Sequence, residues 1–284
     1  MKDNLINIFP KNEKLKRKEL HELLQDWEKT VASGNRNKQF SYDGFFPGYF
    51  NTFPKVLFIG REPKDQDGND YIENTITQFE GIMKEENVLN KCNNETQYWA
   101  RILCIFSIII NNGLIEGKRT FEIYESMIKK NIGFAAINIS KYINNSGKSS
   151  ADIESINNFL VDSNLEITDY IRKQIKILNP DIIITAHLWE EIGIDYYLDK
   201  YFGVKEQVLN NEYTEWLVDV KINNNKIKLI NLYHFSSNKN DMNFYYAPIS
   251  ILIKYINRGN LIKLLSYTIK KINNKLKCWR NLFG

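Results

Sequence analysis

Three polar side chains of complementary chemistry each follow or end an apolar run of this sequence: Glu62, Asn138 and His234. A carboxylate can act as a general base, an imidazole can accept or donate a proton, and an amide offers a donor and an acceptor. Ligands of open α/β sheets bind at the carboxyl ends of the strands, so we expect the three side chains to meet there. Taken singly, the alternative is structural: a solvated ion pair at Glu62 and a structural histidine at His234.

The strand before Glu62 is the element around which the chain is organised. Four apolar residues, 56–59, predict a short strand that is buried on both faces, as in parallel sheets. Gly60 allows a sharp turn because it has no Cβ, and Pro63 disfavours an immediate helix. Arg61 and Glu62 are therefore expected at the carboxyl end of a central strand.

Hydrophobic spacing predicts the remaining elements. Helices are predicted over 13–33, 75–83, 96–112, 121–130, 151–178 with a break near 163–164, and 247–279. Further strands are predicted over 134–140 and 181–186, and a hairpin over 215–222 and 226–232. Together they predict an α/β fold of three layers, α/β/α, around a central, mostly parallel sheet, with extra N- and C-terminal helices. We expect one domain: an N-terminal helical extension (1–53), an α/β core (54–237), and a C-terminal loop with helices (238–284).

Composition limits the classes of protein that fit. The chain has 284 residues, of which 43% are hydrophobic, enough for a full core. Its net charge of +4 permits nucleic-acid binding without requiring it. The three cysteines are scattered, so they form no four-thiolate cluster and no paired zinc ligands, and we expect neither a metal nor a cofactor. Free thiols, an N-terminus without a signal-peptide run, and no apolar run long enough to span a bilayer predict a cytoplasmic protein.

Four motifs occur in a fixed order along the chain: Gly60-Arg61-Glu62-Pro63-Lys64, Ile137-Asn138-Ile139, Asn179-Pro180 before an apolar strand, and His234-Phe235-Ser236. In order and spacing, the chain resembles the uracil-DNA glycosylase superfamily over roughly residues 55–237. The first motif is similar to the family's G-Q-D-P-Y, the second to the strand whose asparagine reads the base, and the last to H-P-S. Each motif is weak alone, and the four in sequence are moderately specific.

The chain departs from the family's usual motifs at three positions. Glu62 stands where many members have aspartate, and Phe235 replaces the usual proline. Lys64 stands where uracil-specific members place a tyrosine against C5 of the pyrimidine. Members with an iron-sulfur cluster need four cysteines, and this chain has three. The resemblance therefore leaves the excised base open.

The resemblance implies a metal-independent DNA glycosylase that flips out a pyrimidine and hydrolyses its N-glycosidic bond, which leaves an abasic site. Glu62 would stabilise positive charge on the sugar and orient a water, and His234 would donate a hydrogen bond to the departing base. Asn138 would pair with the pyrimidine edge. The expected partner is DNA, bound by a monomer.

Further residues are expected around these three. The base would contact Gly60, Arg61 and Lys64 and would stack on an aromatic ring, Tyr71 or Phe79. Residues expected to hold phosphates, or to fill the space of the flipped base, are Ser236, Ser237, Met242, Phe244 and Lys148. Lys148 follows a glycine as in a P-loop, but the upstream glycine of that motif is missing.

Two substrates and two rival classes stay open. A flexible Lys64 would leave the pocket open at C5, and with the polar loop 65–70 it would accept a bulky 5-modified cytosine of phage DNA, an antiviral defence role. If Tyr71 closes the pocket instead, uracil is the substrate. The rival classes are a nucleotide hydrolase on a similar sheet and a catalytically silent nucleic-acid-binding protein of the same fold, which would produce no abasic sites.

Overall fold

The apolar run before Glu62 forms a strand inside a seven-stranded sheet. The computed structural model describes residues 8–32, 38–64, 70–84, 94–113, 120–145, 151–164, 169–186, 207–211, 214–222, 225–237, 239, 242–254 and 256. The strands are β1 (Gly44–Phe45), β2 (Val56–Gly60), β3 (Ala135–Asn138), β4 (Ile182–Ala186), β5 (Gln207–Asn211), β6 (Thr214–Ile222) and β7 (Asn225–Leu232). Their order across the sheet is β1-β3-β2-β4-β7-β6-β5.

The middle of the sheet is parallel and its borders are antiparallel. β2 pairs in parallel with β3 and β4, and β4 pairs in parallel with β7. β1 lies antiparallel to β3, and β6 forms the predicted antiparallel hairpin with β7, extended by β5. The predicted central, mostly parallel arrangement is thus confirmed. Neither β1 nor β5 was predicted. β1 has only two residues, and it lies in an aromatic loop that has no hydrophobic periodicity.

The helices are α1 (Lys11–Ala32), α2 (Tyr71–Lys84), α3 (Asn94–Ile110), α4 (Thr120–Lys130), α5 (Ile153–Asp162), α6 (Tyr170–Leu178) and α7 (247–254). A π-helical turn, Met242–Tyr246, precedes α7. The predicted break near 163–164 is confirmed, since α5 ends there. α2 begins four residues earlier than predicted, because the Asp70 carboxylate accepts a hydrogen bond from the Glu73 N–H (2.9 Å) and caps the helix. The predicted helix beyond residue 256 lies outside the described residues.

Helices cover both faces of the sheet, because successive side chains of a strand point to opposite faces. Leu57 and Ile59 belong to a core shared with α1, α5 and α6. Val56 and Phe58 belong to a second core shared with α2, α3, α4 and α7. The predicted three-layer architecture is therefore confirmed. In the described part of the chain, no helix is long and apolar enough to cross a membrane.

The N-terminal segment is part of this architecture. Leu20 and Trp27 of α1 are fully buried in the first core. Glu13, also buried, accepts hydrogen bonds from the N–H groups of Gly48 (2.9 Å) and Phe50 (2.8 Å). The predicted helical extension thus packs as a wall of the core, which the resemblance did not indicate.

Candidate active site

The strand ends that carry the predicted site residues lie side by side. Gly60 is the register partner of Asn138 in the β2–β3 pair. The two chains stay together beyond the strands, where the Asn144 N–H donates to the Pro63 carbonyl (2.8 Å) and Lys64 bridges to Asn144. The segment around Glu62 is therefore held against the segment that follows Asn138.

Glu62 is half-buried, and its carboxylate is held by donors from the other side of this junction. Its Oε1 accepts hydrogen bonds from Asn144 Nδ2 (3.1 Å) and from the backbone N–H of Asp152 (3.1 Å), the N-cap residue of α5. Burial raises the pKa of Glu62 above its usual value, and these two hydrogen bonds and nearby Arg61 oppose that rise. Both bonds go to Oε1.

Asn138 is the clearest sign of a binding site. Its side chain is 3% exposed, and Nδ2 has no hydrogen-bond partner among the described residues. A buried donor without a partner costs about 1–3 kcal/mol, so such groups call for a functional explanation. Gly60 makes the space for this amide, because a Cβ there would lie 2.5 Å from Asn138 Oδ1.

Tyr71 and Tyr98 enclose the amide from the helical layer above. Their hydroxyls hydrogen-bond to each other. Burial raises the pKa of the Tyr71 hydroxyl, and the neighbouring Asn138 amide opposes that rise although its Nδ2 makes no hydrogen bond with the described residues. The Tyr98 hydroxyl is 3.3 Å from the place of a Cβ on Gly60. Burial raises the pKa of Tyr98 to about 12, with a further contribution from the charge of Glu62. Tyr98 therefore lies beside Asn138 and within range of the charge of Glu62.

His234 completes the group from β7. Its ring centroid lies 5.7 Å from that of Tyr98. Nδ1 is 2.8 Å from Ser236 Oγ and receives the Ser236 backbone N–H (3.3 Å). A backbone N–H can only donate, so Nδ1 is the acceptor, and a neutral ring carries its proton on Nε2. Ser236 thus sets the tautomer that can donate a hydrogen bond.

A buried arginine of α3 fixes the loop after His234. Arg101 is 2% exposed, and its Nη1 donates to the carbonyls of Phe235 (2.5 Å) and Ser237 (2.7 Å). Its Nη2 donates to the carbonyl of Lys239 (3.2 Å), and its guanidinium lies 4.4 Å from the ring centroid of Tyr245. One side chain, that of Arg101, therefore holds the loop after β7 in place. Phe235, which replaces the family's proline, is fully buried.

The remaining predicted residues fall into three groups. Arg61 and Lys64 are half-buried beside the β2–β3 junction, near Glu62. Phe79 is a core residue, with its ring against Phe46, Trp99 and Tyr124. Its stacking on a base stays a prediction, and these contacts favour a role in the core.

The third group lies on the loop after β7. Ser237 Oγ is engaged with the Tyr245 hydroxyl (2.7 Å). Phe244 packs edge-on against Tyr233 (5.1 Å between centroids), and the Lys239 ammonium lies 5.2 Å from its ring centroid. Met242 starts the π-helical turn, and its side chain is outside the described residues, as is Lys148.

Sequence reasoning missed Tyr98 and Arg101. Both lie in the predicted helix 96–112, which we interpreted as a buried, apolar element. The available signal was their chemistry, since an arginine and a phenol in such a helix must find polar partners. Arg101 finds them in the loop after β7, and Tyr98 finds one in the Tyr71 hydroxyl of α2.

Comparison with known proteins assigns this chain to no family. No family model matches the chain. A search of curated proteins also finds no match. Among the described residues, no group of three or more His, Cys, Asp and Glu side chains is placed to hold a metal ion.

Proposed function

We propose that this protein is a metal-independent DNA glycosylase that hydrolyses the N-glycosidic bond of a flipped pyrimidine. The observation that supports the proposal is Nδ2 of buried Asn138, which has no hydrogen-bond partner among the described residues and lies beside Tyr98, whose ring contacts His234. A buried donor, with a half-buried carboxylate and a half-buried histidine at strand ends of the same sheet, supplies the parts that such a cleavage needs.

Base recognition falls to Asn138. Nδ2 donates to a ring nitrogen or carbonyl oxygen of the pyrimidine, which satisfies the buried amide. The missing Cβ of Gly60 leaves room for the Asn138 amide that meets the base edge. The half-buried ring of Tyr98 offers an apolar face beside the same amide, and base–aromatic stacking contributes about 1–3 kcal/mol.

His234 stabilises the departing base. As the glycosidic bond breaks, negative charge gathers on the pyrimidine, and a donor aimed at that charge lowers the barrier. Because Ser236 holds Nδ1 as an acceptor, Nε2 carries the proton needed for this bond. Arg101 keeps the loop in place without touching the substrate.

Glu62 acts on the sugar. The bond breaks with positive charge on C1′, which the carboxylate stabilises, and water then adds to C1′ while its proton passes to Glu62. Glu62 releases this proton to solvent, and the departed base anion takes one up. The hydrogen bonds from Asn144 and Asp152 orient the carboxylate for this role. The products are the free base and an abasic site.

The substrate is either uracil or a bulky 5-modified cytosine of phage DNA, the second of which would make the protein a defence enzyme. Lys64 and Tyr71 decide between them, as the residues proposed to leave the C5 side open or to close it. The test is a panel of oligonucleotides that carry uracil, cytosine, 5-hydroxymethylcytosine or its glucosylated form, with mass spectrometry of the released base. Release of uracil alone refutes the defence role, and release of the glucosylated base alone supports it. Retention of every base by the wild-type protein contradicts the glycosylase proposal.

A further inference from the structure

We propose that a buried cluster of Asp43, Lys141 and Gln174 positions the base-reading Asn138. The inference rests on the proposed function, because it assigns these residues a role in base recognition. None of the three belongs to a glycosylase motif quoted above. They come from the residue before β1, from the segment after β3, and from α6.

The cluster holds both backbone polar groups of Asn138. Its N–H donates to Asp43 Oδ2 (2.6 Å), and its carbonyl accepts from Lys141 Nζ (2.5 Å). A strand end normally leaves such groups to the next turn or to water. Here an ion pair between Lys141 and Asp43 (2.6 Å) takes both of them.

The cluster is also saturated internally. Lys141 Nζ donates to Asp43, to Asn138 and to Gln174 Oε1 (3.2 Å), which uses its three protons. Gln174 Nε2 donates to Asp43 Oδ1 (2.7 Å), which closes the ring of contacts. Asp43, Lys141 and Gln174 are at most 1% exposed. An ammonium whose protons are all bound has no lone pair with which to attack C1′, so Lys141 is a positioning residue.

The cluster and the side-chain amide of Asn138 lie on opposite faces of the sheet. The preceding β3 residue, Ile137, points into the first core, where the Lys141 ammonium lies 5.1 Å from the ring centroid of Trp27. Asn138 therefore points its side chain towards the second core, where Tyr71 lies. The cluster thus fixes the peptide from one side and leaves the amide on the other side for a ligand.

The energetics favour positioning over stability. Replacing a buried ion pair by uncharged groups of similar volume is often neutral or stabilising, whereas removing one partner is strongly destabilising. The β2–β3 and β1–β3 pairings hold the strand without the cluster. The cluster fixes the position and the orientation of the Asn138 peptide. A displacement of about 1 Å can cost up to 10²-fold in rate.

The test is a double-mutant cycle between the cluster and Asn138. The cluster variant is Asp43→Asn with Lys141→Met, which removes both charges and keeps the volume, and Gln174→Leu is a milder second variant that leaves the ion pair in place. We expect the single-turnover rate to fall by roughly 10-fold or more in the first variant. In an Asn138→Ala background, the same changes should cost almost nothing further, because the cluster acts through Asn138. Equal, additive losses in both backgrounds would overturn the proposal, and so would wild-type rates in the folded variants.

The control is Glu13→Gln, which alters another buried carboxylate that contacts Gly48 and Phe50 and not the site. It should leave the rate within about twofold of wild type. The same cycle can be run on the affinity for free uracil, cytosine or 5-hydroxymethylcytosine, followed by the Asn138 side-chain NMR resonances, which requires no turnover. A wild-type protein that binds a free base but cleaves no DNA would refute the glycosylase proposal and leave the positioning proposal to the affinity cycle. Binding of no base at all would overturn both.

Discussion

The ring of Tyr98 lies 5.7 Å from the imidazole ring of His234, at an angle of 37°. The two residues come from different layers, α3 and the end of β7. Through this contact the helical layer reaches the strand ends, and the hydroxyl of the same tyrosine reaches Tyr71 and the space above Gly60. The candidate site is therefore built jointly by three strands and a helix.

Loss of His234 should slow the chemical step. We expect the single-turnover rate of His234→Ala to fall by about 10²–10³-fold, the usual cost of one donor to a developing negative charge. DNA affinity should change little, because phosphate contacts supply most of it. Quenched-flow rates and filter-binding affinities measure the two effects. A rate within about twofold of wild type would remove His234 from the mechanism.

Tyr98 should contribute mainly through its ring. Tyr98→Phe keeps the ring and loses the hydrogen bond with Tyr71, so a small loss in rate is expected. Tyr98→Ala should cost roughly 5- to 100-fold, since base–aromatic stacking contributes about 1–3 kcal/mol. Tyr170→Phe, on the opposite face of the sheet, is the matched control and should behave as wild type. Equal losses for the Phe and Ala variants would show that the hydroxyl, rather than stacking, matters.

The rate should fall at low pH, and this fall should occur at a higher pH than the titration of an ordinary carboxylate would give. Burial raises the pKa of Glu62 above 4.5, and the mechanism needs the ionised form. The rate should therefore rise with pH through an apparent pKa higher than 4.5. The pH–rate profile of wild type measures this value, and in Glu62→Gln the fall at low pH should be absent. An unchanged fall in that variant would assign the titration to another group.

The raised pKa of Glu62 also predicts how the stability of the fold depends on pH. The rate should rise with pH, whereas this contribution to stability should fall as the pH rises. A raised pKa means that the folded protein holds the proton more tightly than the unfolded chain. The corresponding stability is present below the unfolded pKa of about 4.5 and is lost as the pH rises through the folded pKa. Glu62→Gln should therefore melt at a higher temperature than wild type at about pH 7.5, and the difference should shrink below pH 4.5. A lower melting temperature at both pH values would contradict the assigned shift.

Hydrophobic spacing was sufficient to predict most of the architecture. The runs 56–59 and 182–184 are continuous and apolar, and the turn sequence at 223–225 between two strand-like segments marked the hairpin of β6 and β7. β1 escaped prediction because its two residues are held by pairing with β3, a contact between segments about 90 residues apart. Such non-local pairing leaves no periodic signal.

The candidate site was predictable in part. Glu62, Asn138 and His234 were found because each ends or follows an apolar strand, and the structure places the ring of His234 against Tyr98 and Gly60 opposite Asn138. Tyr98 and Arg101 were hidden inside an apolar helix. The packing of the Phe79 ring against core aromatics was not predicted, because spacing along α2 does not reveal which side chains surround it.

Arg101 should matter for both stability and rate. Arg101→Met leaves the carbonyls of Phe235, Ser237 and Lys239 without this donor, and the loss at the buried Phe235 carbonyl alone costs about 1–3 kcal/mol. We expect a lower melting temperature and, at temperatures where the variant is folded, a reduced rate, because His234 loses its support. Arg172→Met, an exposed arginine on α6, is the control. A destabilised variant with a full wild-type rate would show that Arg101 does not position His234.

The formation of abasic sites tests the central claim most directly. Purified protein is incubated in EDTA with single- and double-stranded oligonucleotides that carry each candidate pyrimidine, and hot alkali then breaks the strand at any abasic position. The proposed mechanism predicts breaks at one modified base or at uracil, undiminished by EDTA and lowered about 10²–10⁴-fold by Glu62→Gln. Intact strands with every base, or breaks that appear only when a metal ion is restored, would contradict it.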